Sequence, residues 1–311
     1  MRVVFIGTGE IGVPTLQALL RSGEHQLVGV VMQPDKPVGR EQRIELSPIK
    51  KALIGTKMPI LQPARIKDRQ SIEEIRALVP EIIVVMAYGQ ILPRAILDIP
   101  SVACLNLHAS LLPYWRGAAP IQAAIFSGDS ETGITVMYMD EGLDTGDILL
   151  QRKIGILPTD TGGSLHDRLA QIAPEALLES LRLLALGKVP RVPQDNAVAT
   201  YAPKLSRENG RIDWTERARV IERKIRAFNP WPGAFTSVAA KSGKPRNLKI
   251  FSASIVDLSG TPGEILRSEK ELIIAAGERA LALSDVQLEG KQRMGGGEFA
   301  RGHRLAAQSI R

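Results

Sequence analysis

Short apolar runs at 3–7, 27–32, 82–87, 104–108 and 134–139 alternate with stretches whose apolar residues recur at helical spacing. Those stretches lie at 12–22, 48–54, 71–78, 93–97 and 117–127. Strand-length runs separated by helices predict βαβ units, hence an α/β fold on a mostly parallel, Rossmann-like sheet. Ile82-Ile83-Val84-Val85-Met86 is apolar without alternation, as a strand covered on both faces requires. A long helical pattern at 164–186 follows and ends at Gly187, a residue favoured just past a helix.

The rhythm then changes. Pro190, Pro193 and Pro203 among scattered polar residues mark 189–206 as a linker. Beyond it come one helical pattern at 217–227 and short strand-like runs at 235–238, 248–251, 271–275 and 280–287. They predict a smaller C-terminal β-barrel. The expected division is a domain over 1–188, a linker, and a second domain over 207–311. Gly295-Gly296-Gly297 reads as a short flexible turn.

Composition narrows the class. A chain of 311 residues, 44% apolar and 23% charged, suits one large or two ordinary globular domains. No apolar stretch is long enough to cross a bilayer, and the apolar opening is too short for a signal peptide. A cytoplasmic protein with no membrane partner is expected. The single Cys excludes an internal disulfide and a Cys-rich zinc site. Net charge is +7, and its distribution says more than its sum. Residues 1–204 hold 21 Lys/Arg against 21 Asp/Glu, whereas 205–311 hold 19 against 12. A basic segment attached to a neutral one suits a polyanionic partner, with simple solubility as the alternative.

Candidate chemistry gathers around Asn106, His108 and Asp144. In a strand over 104–108, Asn106 and His108 share one face. The next strand runs into Glu141-Gly142-Leu143-Asp144-Thr145-Gly146. Open α/β sheets bind ligands beyond the carboxyl ends of their strands, so all three groups are expected to meet there. An amide and a protonated imidazole both donate to a carbonyl oxygen becoming an oxyanion. A carboxylate beside an imidazole orients it and favours its cationic form. Position alone leaves Asp140 and Asp147 as competitors for the carboxylate role. Cys104 shares the parity of 106 and 108 but lies roughly 13 Å back from His108 along the strand, and reads as a buried filler. With no strong nucleophile in view, direct attack by a substrate amine is expected, without a covalent enzyme intermediate.

Gly7-Thr8-Gly9-Glu10-Ile11-Gly12 also fits the dinucleotide fingerprint, following a strand and opening a helix. Asp35 stands near the position of a ribose-binding carboxylate. Against that reading, Gln33-Pro34-Asp35-Lys36-Pro37 looks like a loop entrance rather than a strand end.

Asn106-x-His108, Ser110-Leu111-Leu112-Pro113, Arg116-Gly117 and Asp140-x-Gly142-x-Asp144-Thr145-Gly146 together resemble the folate-dependent formyltransferase family. Further matching segments are Gln33 through Arg40, Ala87-Tyr88-Gly89, Gly117 through Gln122, Tyr201-Ala202-x-Lys204-Leu205 and Ile225 through Pro232. These bring the likeness closest to the branch acting on charged tRNA. The resemblance implies 10-formyltetrahydrofolate as formyl donor, tetrahydrofolate as product, and initiator methionyl-tRNA as acceptor. It implies catalytic roles for Asn106, His108 and Asp144, and selects Asp144 over its neighbours. Ser110, Leu111, Leu112 and Pro113 would line the folate pocket with Tyr88, Gly89, Gln90, Ile91, Leu92 and Asp140. Arg40 and Arg43, in the polar loop 34–47, would meet tRNA, as would Lys204. Arg219, Arg223 and Arg226, spaced to share a helix face, suit phosphate contacts. The C-terminal barrel would be OB-like. No metal or nicotinamide is implied, and a monomer is expected. The family usually carries Pro, an aromatic residue and a small residue where this chain has Gly9, Ile11 and Gly12, so the first loop departs from the pattern. A nucleotide-sugar N-formyltransferase is the nearest rival reading.

Overall fold

A computed structural model describes residues 1–38, 43–238, 245–267 and 270–303. The chain forms two compact units interleaved in sequence. One comprises 1–120, 131–155 and 166–202; the other comprises 121–130, 156–165 and 203–311.

The first unit is built on a seven-stranded sheet. Its spatial order is Ile148–Gly155, Glu131–Tyr138, Ala103–His108, Ile82–Met86, Arg2–Gly7, Gln26–Val31 and Ile60–Leu61. From Ala103–His108 to Ile60–Leu61 every neighbour is parallel. Ile82–Met86 is buried along its whole length, as its unbroken apolar run requires. On one face Val4, Ile6, Ile83 and Val85 pack with Ile75 and Ile96 from the helices Arg69–Ala77 and Arg94–Leu97. Each such side chain contributes about 1.5–3 kcal/mol by leaving water. The helix Val13–Arg21 carries Pro in its first turn, where no amide hydrogen is needed, and buries Leu16 and Leu19.

Strand direction differs from the expectation of parallel units at one edge. Glu131–Tyr138 runs antiparallel to Ala103–His108, pairing Leu105 with Tyr138 and His108 with Thr135. The loop bearing Asp144 therefore leaves beside Cys104, whose carbonyl accepts from the Met139 amide at 2.9 Å, and must double back to reach Asn106. Hydrophobic alternation records where strands and helices lie, not which way a strand points.

The second unit holds an antiparallel sheet. Its order is Ala234–Val238, Arg246–Val256, Ala280–Leu288, Leu272–Ala275 and Ile265–Arg267, with Arg293–Gly295 also pairing with Ala280–Leu288. Register shifts between Ile250 and Ser252 and between Ser252 and Ala253 increase its twist, and it curls into a half-barrel. Its concave core gathers Leu248, Ile250, Leu272, Ile274, Leu281 and Leu283 with Ile221 and Ile225 of the helix Ala218–Ala227. Trp214 joins it and donates its indole hydrogen to Thr236 Oγ1 at 3.0 Å.

The triple glycine is not a flexible turn. Gly295 ends a strand, and Gly296–His303 is a helix. A Cβ at Gly296 would stand 2.0 Å from the Leu283 carbonyl oxygen, and one at Gly297 would stand 2.1 Å from that of Lys270. Close backbone approach, rather than mobility, calls for glycine at both positions, and it seats Phe299 fully inside the core. Among the described residues no helix is long and apolar enough to cross a membrane. Phe299→Ala should lower unfolding free energy by about 3–5 kcal/mol, measured by denaturant titration. A loss below about 1 kcal/mol would mean that this helix is not docked.

Candidate active site

Asp144 is the point on which the predicted trio converges. Its Oδ1 accepts from Asn106 Nδ2 at 3.3 Å. Its Oδ2 accepts from the Gly117 amide at 2.8 Å and stands 3.6 Å from His108 Nδ1. The last distance exceeds a hydrogen bond, so this is an electrostatic contact. His108 Nε2 lies 2.8 Å from the Trp115 carbonyl oxygen, which can only accept, so Nε2 carries hydrogen. Nδ1 is then the nitrogen facing the carboxylate. Asn106 retains a second amide hydrogen, since a primary amide has two.

The backbone is bent to this purpose. Asp144 has φ +54°, Trp115 +60° and Gly117 +110°, all left-handed. Asp adopts that region more readily than most residues, and Gly without penalty, whereas Trp does so at a cost. Trp115 is held there by its amide donating to Thr200 Oγ1 at 2.9 Å and by its carbonyl accepting from His108. Such conformations persist only where surrounding contacts over-determine them.

Asp140 and Asp147 are otherwise engaged. Asp140 accepts from the Gly142 amide at 3.0 Å and from Thr145 Oγ1 at 2.7 Å, which shapes the loop. Asp147 pairs with Arg191 at 3.8 Å.

The turn after His108 is braced from beneath by Thr135. Its hydroxyl donates to the Ser110 carbonyl at 2.6 Å and accepts from the Leu112 amide at 3.1 Å and from Gln151 Nε2 at 3.0 Å. Ser110 is fully buried and donates to the Tyr114 carbonyl at 2.6 Å. Leu112 is also buried, whereas Leu111 and Pro113 are half-exposed. In the loop 88–92, Tyr88 and Leu92 point into the core, while Gly89 is exposed and Ile91 is 84% exposed. Gln90 is a brace, accepting from the Ile66 amide at 3.0 Å and donating to the Ala64 carbonyl at 3.3 Å. Of the ten residues expected to line a folate pocket, Gly89, Ile91 and Asp140 are exposed and Gln90, Leu111 and Pro113 are half-exposed, whereas Tyr88, Leu92, Ser110 and Leu112 are buried beneath that surface. Apolar edges beside exposed backbone suit a flat heteroaromatic ring.

The residues expected to meet tRNA are unlike one another. Arg40 lies outside the described residues, and Arg43 opens the strand Arg43–Glu45, which pairs with Lys36–Val38. Lys204 and Arg219 are exposed. Arg223 is half-buried and donates to the Ser127 carbonyl at 3.0 Å. Arg226 pairs with Glu222, Nη2 to Oε2 at 3.1 Å, and donates to the Asp160 carbonyl at 2.9 Å. Its guanidinium is spent inside its own unit.

The glycine turn 7–12 cannot receive a pyrophosphate on its leading amides. The amides of Thr8 and Gly9 both donate to the Ala87 carbonyl at 3.2 Å, and that of Gly12 donates to Gly9 at 3.1 Å. A Cβ at Gly7 would meet the Met86 carbonyl oxygen at 2.6 Å, so this glycine serves strand packing. Asp35 is locked by Lys50 and by Gln62, the latter at 3.3 Å, and the Lys50 ammonium holds its carboxyl below the usual range.

Two groups around the trio escape sequence reasoning, Thr135 and Gln194, and a third, Arg116, stands in a matching segment without a role assigned to it. Thr135 leaves a trace, as a polar residue in the apolar run Ile134-Thr135-Val136-Met137. Gln194 leaves none, because it lies 50 residues from the carbonyl it binds.

The formyl transferase family model matches residues 1–181, and the model for its C-terminal domain matches 204–304. A methionyl-tRNA formyltransferase of Methylacidiphilum infernorum is 48% identical over 100% of this chain and 98% of its own. Among solved structures, WlaRD, a sugar 3N-formyl transferase crystallised with dTDP and 5-N-formyl-THF, superposes with TM-score 0.66 at 17% identity, covering 94% of this chain and 99% of its own. The methionyl-tRNA formyltransferase of Clostridium thermocellum gives 0.58 at 20% identity, covering 93% and 98%. At those identities the two structures speak for the fold. The chain belongs to the formyl transferase family. It is an enzyme that transfers a formyl group.

Cys104 takes no visible part in that chemistry. It is buried against Met139, its Sγ 3.7 Å from the thioether sulfur, and burial pushes its thiol up to about 12. In the unfolded chain the thiol ionises near its ordinary value of 9.0, so the unfolded state loses this proton first. The stability contributed is complete below about pH 9 and falls as pH rises toward 12, by at most about 1.4 kcal/mol per pH unit. The folded enzyme should therefore resist a disulfide thiol reagent at pH 8 and react with one equivalent once denatured. Prompt labelling of the native protein would refute the burial.

Proposed function

We propose that the protein formylates the α-amine of methionine esterified to initiator tRNA, using 10-formyltetrahydrofolate, to supply N-formylmethionyl-tRNA for translation initiation in the cytoplasm. The observation that carries this reading is the meeting of Asn106, His108 and Asp144 at one point, in a chain similar throughout its length to a methionyl-tRNA formyltransferase. In the proposed division, a Rossmann-like catalytic domain spans 1–188, a linker 189–206 and an OB-like, basic tRNA-binding domain 207–311.

The acceptor amine attacks the formyl carbon, and the carbonyl oxygen becomes an oxyanion. The free amide hydrogen of Asn106 and a proton on His108 Nδ1 both donate to it. With Nε2 tied to Trp115, Nδ1 is the one position from which His108 can act. Asp144 holds the protonated ring and takes the amine proton, directly or through water. His108 then protonates the departing N10 nitrogen as the tetrahedral intermediate collapses. Gly89, Ile91, Leu111 and Pro113 hold the donor's flat ring system, and the tRNA contacts supply the orientation of the amine.

Asn106→Ala, His108→Ala and Asp144→Ala should each lower turnover at least ~100-fold while leaving the far-ultraviolet circular dichroism intact. Near-normal formylation of methionyl-tRNA by any one would remove that residue from the mechanism. An assay offering a nucleotide-linked amino sugar beside methionyl-tRNA separates this reading from that of a sugar N-formyltransferase.

On the basic helix the residues should divide by their engagements. Arg219→Ala should raise KM for tRNA severalfold and reduce the slope of log affinity against log salt by about 1. Arg226→Ala should chiefly lower the melting temperature, since it removes the ion-pair partner of Glu222 and a donor to the Asp160 carbonyl. Equal tRNA defects and unchanged stability in both would defeat the distinction.

A further inference from the structure

Arg116 is among the largest fully buried side chains of the described residues, at 1% exposure. A buried guanidinium is costly unless its hydrogens find partners. Two neutral amides receive two of them: Nε donates to Gln194 Oε1 and Nη2 to Asn196 Oδ1, both at 2.9 Å. Gln194 then turns its own amide toward the active-site loop, donating to the Asp144 carbonyl at 2.8 Å and to the Gly146 carbonyl at 2.7 Å. The neighbour of Arg116 completes the circuit, because the Gly117 amide donates to Asp144 Oδ2. Asp144 is thus gripped at both ends, its carboxylate by a main-chain amide and its carbonyl by a glutamine, with Arg116 joining the two grips. That double hold fits its left-handed backbone, which a free loop would relax.

We infer that Gln194, oriented by buried Arg116, is a positioning residue for the reaction: it fixes the loop that aims the Asp144 carboxylate at His108 and Asn106. The inference rests on the proposed catalytic role of Asp144. Gln194 touches no reacting atom, so its loss should slow chemistry without weakening substrate binding. A displacement of about 1 Å in a catalytic group is enough to cost on the order of 100-fold in rate.

Gln194→Met keeps length and volume without the amide. Its kcat should fall about 10–100-fold, with KM for methionyl-tRNA and for 10-formyltetrahydrofolate changed by less than about threefold. Gln194→Glu is the second variant: it keeps a partner for Arg116 but removes the donor to the two loop carbonyls, and should show the same split should the first fail to fold. The decisive measurement is a cycle with Asp144→Asn. If Gln194 acts through Asp144, the Gln194→Met, Asp144→Asn double variant turns over no more slowly than Asp144→Asn alone. Defects that multiply, or a Gln194→Met kcat within twofold of the parent, would overturn the assignment. Full turnover by Asp144→Asn would overturn both this inference and the catalytic role of Asp144 beneath it, and is recognised from that single variant.

Discussion

The structure turns on a single carboxylate that faces two donors and an imidazole. Asp144 receives one hydrogen bond from a strand side chain and one from a main-chain amide, and an imidazole nitrogen waits at 3.6 Å. No regular strand or helix delivers a carboxylate to that place. The loop comes off an antiparallel strand at the wrong end of Ala103–His108 and has to fold back. Its left-handed turn at Asp144, the left-handed pair at Trp115 and Gly117, and the buried arginine behind them all follow from the need to aim one side chain.

The sheet supplies the rigid reference for this arrangement. Asn106 and His108 take their spacing from strand alternation, and Ala103–His108 is held between neighbours on both sides. Thr135, directly opposite His108, sends its hydroxyl to the turn that follows. Precision here comes from paired strands on one side and a braced loop on the other, the combination expected where catalytic groups must be held to within a fraction of an ångström.

Much of the fold was legible in the sequence, because burial on two faces leaves a signature as plain as Ile82–Met86. The parity argument for Asn106 and His108 needed only a regular strand. Other features left weaker marks or none. The direction of Glu131–Tyr138 is invisible to hydrophobic pattern. The helix at Gly296–His303 was hidden because its glycines answer to backbone contacts with Leu283 and Lys270, which lie far off in sequence. The fingerprint at Gly7–Gly12 is a true string with a different use, the amides of Thr8 and Gly9 being taken by the Ala87 carbonyl. Arg226 looked available for phosphate by spacing alone, yet spacing cannot report that Glu222 and Asp160 already hold it.

Arg116 carries one more consequence, for how the protein can be dissected. Its two amide partners lie at 194 and 196, and Thr200 and Ala202 receive the backbone of residues 115–119. A fragment ending at residue 188 would retain all three of the convergent side chains and still bury an uncompensated cation behind them. Residues 189–202 group with the unit that holds those three side chains, so what looks like a connecting tether is one wall of the room it was thought to lead away from.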